Sequence, residues 1–241
     1  MKAAVLLGLS MLAISLPSFG EDGTRQSVLV TSTERADFPP GGLIRLNTSS
    51  GNLIVEAWDQ PQVEITTTKS TRRSYQPNRK GQATQCLESV RIATERPSSA
   101  ELAVSTMAPR RGFFQRLFGK CSVEIEQQIR APRNSRLVIH HDAGYVLVSR
   151  MTGEIEATSR SGDIVLMLPD PCPYSIDAET KIGSVSSDFA GATHRKDVLS
   201  EQFTSSNPAA SRRIFLRMYL GGITIKELPP TADAPALAGG Q

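Results

Sequence analysis

Gly144-Tyr145-Val146-Leu147-Val148, Gly153-Glu154-Ile155-Glu156-Ala157 and Gly162-Asp163-Ile164-Val165-Leu166 follow one another at a constant step of nine residues. Each phrase opens on glycine, which accepts the positive φ of a tight turn, and continues with apolar residues at alternate positions, the period of a strand. Nine residues hold a strand of about 17 Å and one turn. The phrase occurs earlier as Gly51-Asn52-Leu53-Ile54-Val55 and later as Gly183-Ser184-Val185-Ser186-Ser187 and Gly221-Gly222-Ile223-Thr224-Ile225. The step from Gly162 to Gly183 is twenty-one, and that from Gly183 to Gly221 is thirty-eight, twice nineteen. A regular step is the mark of a coil that lays strand over strand, each rung burying its apolar positions against the next. The sequence therefore predicts an all-β protein organised as a β-helix-like solenoid of short strands. An antiparallel sandwich, whose strands also recur with turn signals, is the competing architecture.

Composition agrees with narrow rungs. Aromatic residues make up 5% of the 241 positions, while 18 Gly and 15 Pro punctuate the chain. The formal charge of +3 arises from 27 basic and 24 acidic residues. So even a balance excludes a general nucleic-acid-binding surface.

Outward from the repeat, Val90-Arg91-Ile92-Ala93-Thr94 and Leu102-Ala103-Val104 read as two strands joined by a turn at Pro97-Ser98-Ser99-Ala100. Another strand begins at Val123 and closes at Ala131-Pro132-Arg133-Asn134. Arg72 to Gln85 and Arg110 to Lys120 read as projecting loops, and the Pro-, Ala- and Gly-rich stretch 229–241 reads as a disordered tail. The expected organisation is a signal peptide at 1–20, a lead-in at 21–40, and a β-solenoid domain at 41–228 carrying a loop-rich insertion at about 66–122.

The start of the chain carries Lys2, an apolar run from Ala3 to Leu16, then Pro17-Ser18-Phe19-Gly20. Small residues at Ser18 and Gly20 suit cleavage before Glu21, and the run is shorter than the roughly 20 residues that span a bilayer. The chain is expected to be exported, periplasmic or extracellular, with no transmembrane span after cleavage. Cys86, Cys121 and Cys172 would then meet an oxidising compartment. Three cysteines allow at most one internal bridge. Cys86 with Cys121 is the candidate pair, leaving Cys172 free.

Taken together, the stretch from Gly51 to Trp58, Ile129-Arg130-Ala131-Pro132, the Gly144, Gly153 and Gly162 series, Tyr174 to Asp177, Gly183 to Asp188 and the closing Gly221-Gly222-Ile223-Thr224-Ile225 resemble the bacterial DUF4097 family, labelled "putative adhesin". The resemblance spans about residues 40–228. It implies a right-handed β-helix-like domain at the cell envelope or surface, with no established catalytic residues. The 110–120 loop and the glycine-free interval from 192 to 220 apart from this pattern are departures.

Candidate chemistry is sparse. Asp163, Asp177 and Asp188, with Glu154 and Glu156, are the carboxylates that a glycan-active β-helix enzyme could use as acid and base. Their positions beside turns and strand ends suit backbone-bonding or solvated roles better. His140-His141-Asp142 suggests a metal, but adjacent strand residues point to opposite faces, and His194 has no matching spacing. No GxSxG, HExxH or GxxxxGK[ST] motif occurs. No metal or cofactor is expected.

The sharpest local anomaly is Arg110-Arg111-Gly112-Phe113-Phe114-Gln115-Arg116-Leu117-Phe118-Gly119-Lys120. Phe113, Phe114, Leu117 and Phe118 among Arg110, Arg111, Arg116 and Lys120 suit either an anionic membrane surface or a cap over the open end of the rungs. The cap is the favoured reading. Arg72-Arg73 and Arg79-Lys80 form a second basic stretch, expected to be solvated, and Trp58 is expected to pack against the first coil. The function expected from all this is an exported, non-catalytic structural, adhesion-like or ligand-binding module of the bacterial envelope. Its partners would be an envelope protein, a glycan or an anionic membrane surface. The alternatives are a glycan-active enzyme and an envelope-stress sensor for lipid or peptide.

Overall fold

The computed structural model describes residues 27–72, 80–107, 123–169, 174–205 and 210–228. Strand is the dominant state throughout. In chain order the elements are β1 (Leu29–Asp37), β2 (Leu43–Trp58), β3 (Gln62–Thr71), α1 (Lys80–Glu88), β4 (Arg91–Ser98), β5 (Glu101–Met107), β6 (Val123–Pro132) and β7 (Arg136–Ser149). They continue with β8 (Ile155–Pro169), β9 (Tyr174–Ile182), β10 (Val185–Ser187), β11 (Ala192–Arg195), β12 (Glu201–Ser205) and β13 (Arg212–Leu228). The expected all-β class and the β4–β5 hairpin are present.

Hydrogen bonding joins these strands into an open mixed sheet in the order β1-β3-β6-β2-β7-β8-β13-β9-β12-β11. Its centre is parallel. Leu137 pairs with Ile155 and Ser149 with Met167, so the repeat that stacks β7 on β8 takes eighteen residues. The nine-residue step is therefore half a repeat. Gly144 pairs with Gly162, whereas Gly153 lies in the turn between β7 and β8, where an added Cβ would run into the Ser135 carbonyl. Gly153 is thus a turn glycine and not a member of the stacked set, a correction to the sequence reading.

Long strands bend at their glycines, and the bend changes which residues face inward. In β8, Ile155, Ala157 and Ser159 are buried before Gly162, and Ile164, Leu166 and Leu168 after it. The buried positions thus change from odd to even numbers. β7 shifts likewise, from Leu137, Ile139 and His141 to Val146 and Val148. Both halves of each strand consequently face one hydrophobic core, which also takes in Ile44, Leu53, Ile214 and Ile223 from the adjacent strands.

Gly51, Gly144, Gly162 and Gly221 stand opposite one another in successive strands. Gly183 continues the column, because a Cβ there would overlap the Gly221 carbonyl oxygen. Likewise Gly221 faces the oxygen of Gly162, Gly162 that of Gly144, and Gly144 that of Gly51. All five have positive φ, between 113° and 145°. Steric space and backbone conformation therefore both demand glycine here.

Three residues before these glycines runs a second column, Thr48, His141, Ser159, Met218 and Thr180, all buried. Four of the five are polar. At the bend the backbone carbonyls turn away from the ladder, and buried acceptors need donors. The Thr180 hydroxyl donates to the Gly221 carbonyl at 3.0 Å, and the Ser159 hydroxyl to that of Ser161 at 3.4 Å. His141 Nδ1 shares a 2.6 Å hydrogen bond with the Thr48 hydroxyl.

Strand order departs from simple winding. β13 sits between β8 and β9, so the glycine of 221 lies between those of 162 and 183 in the stack. Both ends of the parallel stack turn antiparallel, through β6-β3-β1 and β5-β4 on one side and β9-β12-β11 on the other. Part of the expected 72–85 loop is also corrected, since α1 is helical and buries Ala83, Cys86 and Leu87. That spacing of three and four is a helical face, short enough to be hidden among Gly81, Gln82 and Gln85.

Replacing Gly144 with Ala should destabilise the protein by at least about 3 kcal/mol in urea unfolding, through strained φ together with backbone overlap. Gly81→Ala, in open space on α1, should instead stabilise by up to about 1 kcal/mol. Burial lowers the His141 pKa, outweighing the opposing influence of the Gly51 and Ala143 carbonyls and of Asp142. The unfolded chain therefore binds a proton first. Stability should fall as pH drops from the unfolded value near 6.5 towards the lower folded value, and level off below it. His141→Gln should flatten that slope in urea unfolding measured between pH 5 and 7.5.

Candidate functional site

On the outer face of the strand halves that precede the bend, alternate side chains of β13 project as Arg213, Phe215, Arg217 and Tyr219. Arg217 Cζ lies 3.8 Å from the Phe215 ring centroid and Arg213 Cζ 5.4 Å from it. Arg217 also reaches Asp177 on β9, Nη2 to Oδ2 at 2.8 Å, and Gln202 on β12 donates to the same carboxylate at 2.8 Å. Glu179 completes the network, 3.8 Å from Arg217 Nε and 3.1 Å from Lys196 Nζ. This end of the face is occupied by its own partners. Burial alone would raise the Asp177 pKa, but hydrogen bonds from Arg217 and Gln202, with the charges of Arg217 and Arg213, together bring it below the usual value.

The next position on β13 differs. Tyr219 is 54% exposed and forms one wall of an open groove of about 370 Å³, whose remaining lining is Asn47, His140, His141, Asp142, Thr158, Ser159 and Arg160. The groove crosses β13, β8, β7 and β2, three strand spacings or about 14 Å. On the other flank of β13, Lys181 Nζ stands 5.6 Å from the Tyr219 ring centroid. Along the groove the polar groups come in pairs. His140 Nδ1 and the Thr158 hydroxyl are 2.7 Å apart, and Arg160 Nη2 lies 3.3 Å from Asp142 Oδ1. Such a rim offers donors and acceptors side by side beside an aromatic surface.

His140 and His141 do face opposite ways, one exposed on the rim and the other buried beneath it. His194 lies on β11 opposite Gln202, away from both. The carboxylates singled out in the sequence are spread over the fold. Asp163 Oδ1 accepts the Gly222 N–H at 3.0 Å, and Asp188 Oδ2 accepts that of Glu227 at 3.3 Å. Glu154 pairs with Arg136 at 3.3 Å, and Glu156 stands opposite Phe215. Trp58 is half-buried and donates its indole N–H to the Gln62 carbonyl at 2.7 Å.

Arg110, Arg111, Phe113, Phe114, Arg116, Leu117, Phe118 and Lys120 lie outside the described residues, as do Arg73 and Arg79. Cys86 is disulfide-bonded, while Cys121 and Cys172 also lie outside the described residues. Sequence reasoning did not single out Tyr219, Arg160, Thr158 or Asn47. The available signal was the two-residue alternation of cation and aromatic at 213, 215, 217 and 219, in an interval remarked only for its lack of glycine.

No family model matches the chain, and no curated protein matches it. Among solved structures it is similar to a "putative cell adhesion protein" from Clostridium sporogenes ATCC 15579, with a TM-score of 0.47 and 11% identity, over 83% of this chain and 100% of that one. A "putative adhesin" from Bacteroides fragilis NCTC 9343 gives a TM-score of 0.30 at 11% identity, covering 87% of this chain and 100% of that one. For a "putative lipid binding protein" from Parabacteroides distasonis ATCC 8503 the TM-score is 0.24 at 7% identity, over 83% and 97% of the two chains.

Proposed function

We propose that this chain is an exported, non-catalytic β-solenoid that works as an adhesion-like binding module of the bacterial cell envelope, as its resemblance to the DUF4097 family implies. The observation that carries the reading is the Tyr219 groove, an exposed aromatic wall with paired polar groups laid across four hydrogen-bonded strands. Ligand sites of this kind combine apolar surface with a few placed polar groups on a rigid frame. The solenoid description is supported by the five glycines in one column and by the eighteen-residue repeat of β7 on β8. The leader-like start of the sequence supports export.

A glycan-active enzyme is the weaker reading, because its carboxylates have other work. Asp163 and Asp188 accept backbone N–H groups, and Glu154 and Asp177 are ion-paired. A general acid also needs a raised pKa, and that of Asp177 is lowered.

The purified protein should sediment with isolated bacterial envelopes in a saturable manner and release neither reducing ends nor unsaturated products from their polysaccharides. Product release would establish the enzyme instead, and failure to sediment would remove the binding module. Mass measurement of the periplasmic form should give a chain starting at Glu21.

A further inference from the structure

We propose that the Tyr219 groove binds a neutral glycan, with one pyranose ring stacked on Tyr219 and its neighbours laid across β8 and β7 towards Asn47. This assignment names the ligand of the binding module described above and rests on that reading.

The argument starts from what the groove cannot take. Main-chain hydrogen bonds of β2, β7, β8 and β13 are spent on their neighbours in the parallel ladder. An extended peptide would find no strand edge there to pair with. The groove is also open, and Tyr219 is the one apolar surface in its lining, which contains no aliphatic side chain against which alternate residues of a peptide could pack.

Its charges decide between kinds of polymer. Arg160 is matched by Asp142 at 3.3 Å, and Tyr219, Asn47 and Thr158 carry no charge. Beyond the groove, Arg217 is already committed to Asp177 and Glu179. Lys181 stands beside the Tyr219 ring on the flank away from the groove, whereas an anionic polymer would need cations without partners along the groove itself, where Arg160 is paired.

A sugar ring fits what remains. One face of a pyranose presents C–H groups that lie flat on an aromatic ring, and its hydroxyls both donate and accept. Arg160 donates where Asp142 accepts, and His140 with Thr158 repeats the arrangement one residue pair along the same strands. Adjacent hydroxyls of one ring can thus bridge each pair. The groove runs across the strands, so the polymer follows the stacking direction, and about 14 Å of contact favours a short run of sugars over a single one.

The test uses the full chain and its variants with soluble mannan, amylose dextrin and dextran as neutral probes and alginate as the anionic one, read by titration calorimetry at low and high salt. At least one neutral polymer should bind with little salt dependence. Tyr219→Ala should weaken that binding about tenfold or more, while Tyr219→Phe, which keeps the stacking surface, stays within about threefold. Asp142→Asn, which leaves Arg160 without its carboxylate partner, should weaken it as well. Both side chains are exposed, so melting curves of the three variants should be unchanged and a loss of binding would not be a loss of fold. Binding of no neutral polymer, equal binding by Tyr219→Ala, or salt-sensitive binding of alginate alone would each overturn the assignment. Envelope sedimentation separates the two proposals. If the wild-type protein sediments with envelopes but binds no neutral probe, the ligand assignment falls and the module stands. If it binds a neutral probe but does not sediment, the module falls and the groove's ligand stands.

Discussion

A carbonyl oxygen occupies the place where the neighbouring strand would carry a Cβ. This contact repeats from Gly51 through Gly144, Gly162 and Gly221 to Gly183, and the rest of the architecture depends on it. Because each strand bends there, the alternation of side chains shifts phase and both halves of the strand share one core. The bend also draws polar residues inside. Thr48, His141, Ser159 and Thr180 sit beside it, since a strand that leaves its ladder at a corner exposes acceptors that apolar side chains could not satisfy. The groove belongs to the same geometry. Tyr219, Arg160 and Asp142 each stand two residues before a column glycine, on the outer side of the corner.

Much of this was legible in the sequence for a physical reason: glycine at a close approach and apolar residues at period two are local requirements. They located the central strands, the 91–107 hairpin and the bend glycines themselves. What they could not supply was partnership between distant segments. A glycine phrase says that a corner exists, while its neighbour depends on the path of the whole chain, so Gly153 read like a corner although it turns the chain between β7 and β8. For the same reason the steps of twenty-one and thirty-eight did not show that β13 comes between β8 and β9. Helix α1 was missed because nine residues with only Ala83, Cys86 and Leu87 buried give a faint periodic signal.

The site was less legible than the fold. His140, His141 and Asp142 drew notice as possible metal ligands, and strand alternation correctly separated the two histidines. Their actual neighbours, Thr158, Arg160 and Tyr219, are 18 to about 80 residues away in sequence and meet them only through the parallel pairings. No local motif could have joined them. The polar residue three places before each bend is different, because it recurs at a fixed offset from glycine and could be sought in any related chain.

The position of β13 has a temporal consequence. Synthesis proceeds from β1 onwards, and the strand that joins β8 to β9 is the last of the described elements to be made. Without residues 212–228 the strand order divides into two sets, β1-β3-β6-β2-β7-β8 and β9-β12-β11, and β8 and β9 each lack the neighbour that β13 provides. Such edges are sticky, and the contacts that close them span long stretches of sequence, which slows their formation. The sheet is therefore completed only after β13 is translated, rather than growing strand by strand from the N-terminus, and a polypeptide stopped short of residue 212 would be exposed to aggregation at the β8 and β9 edges.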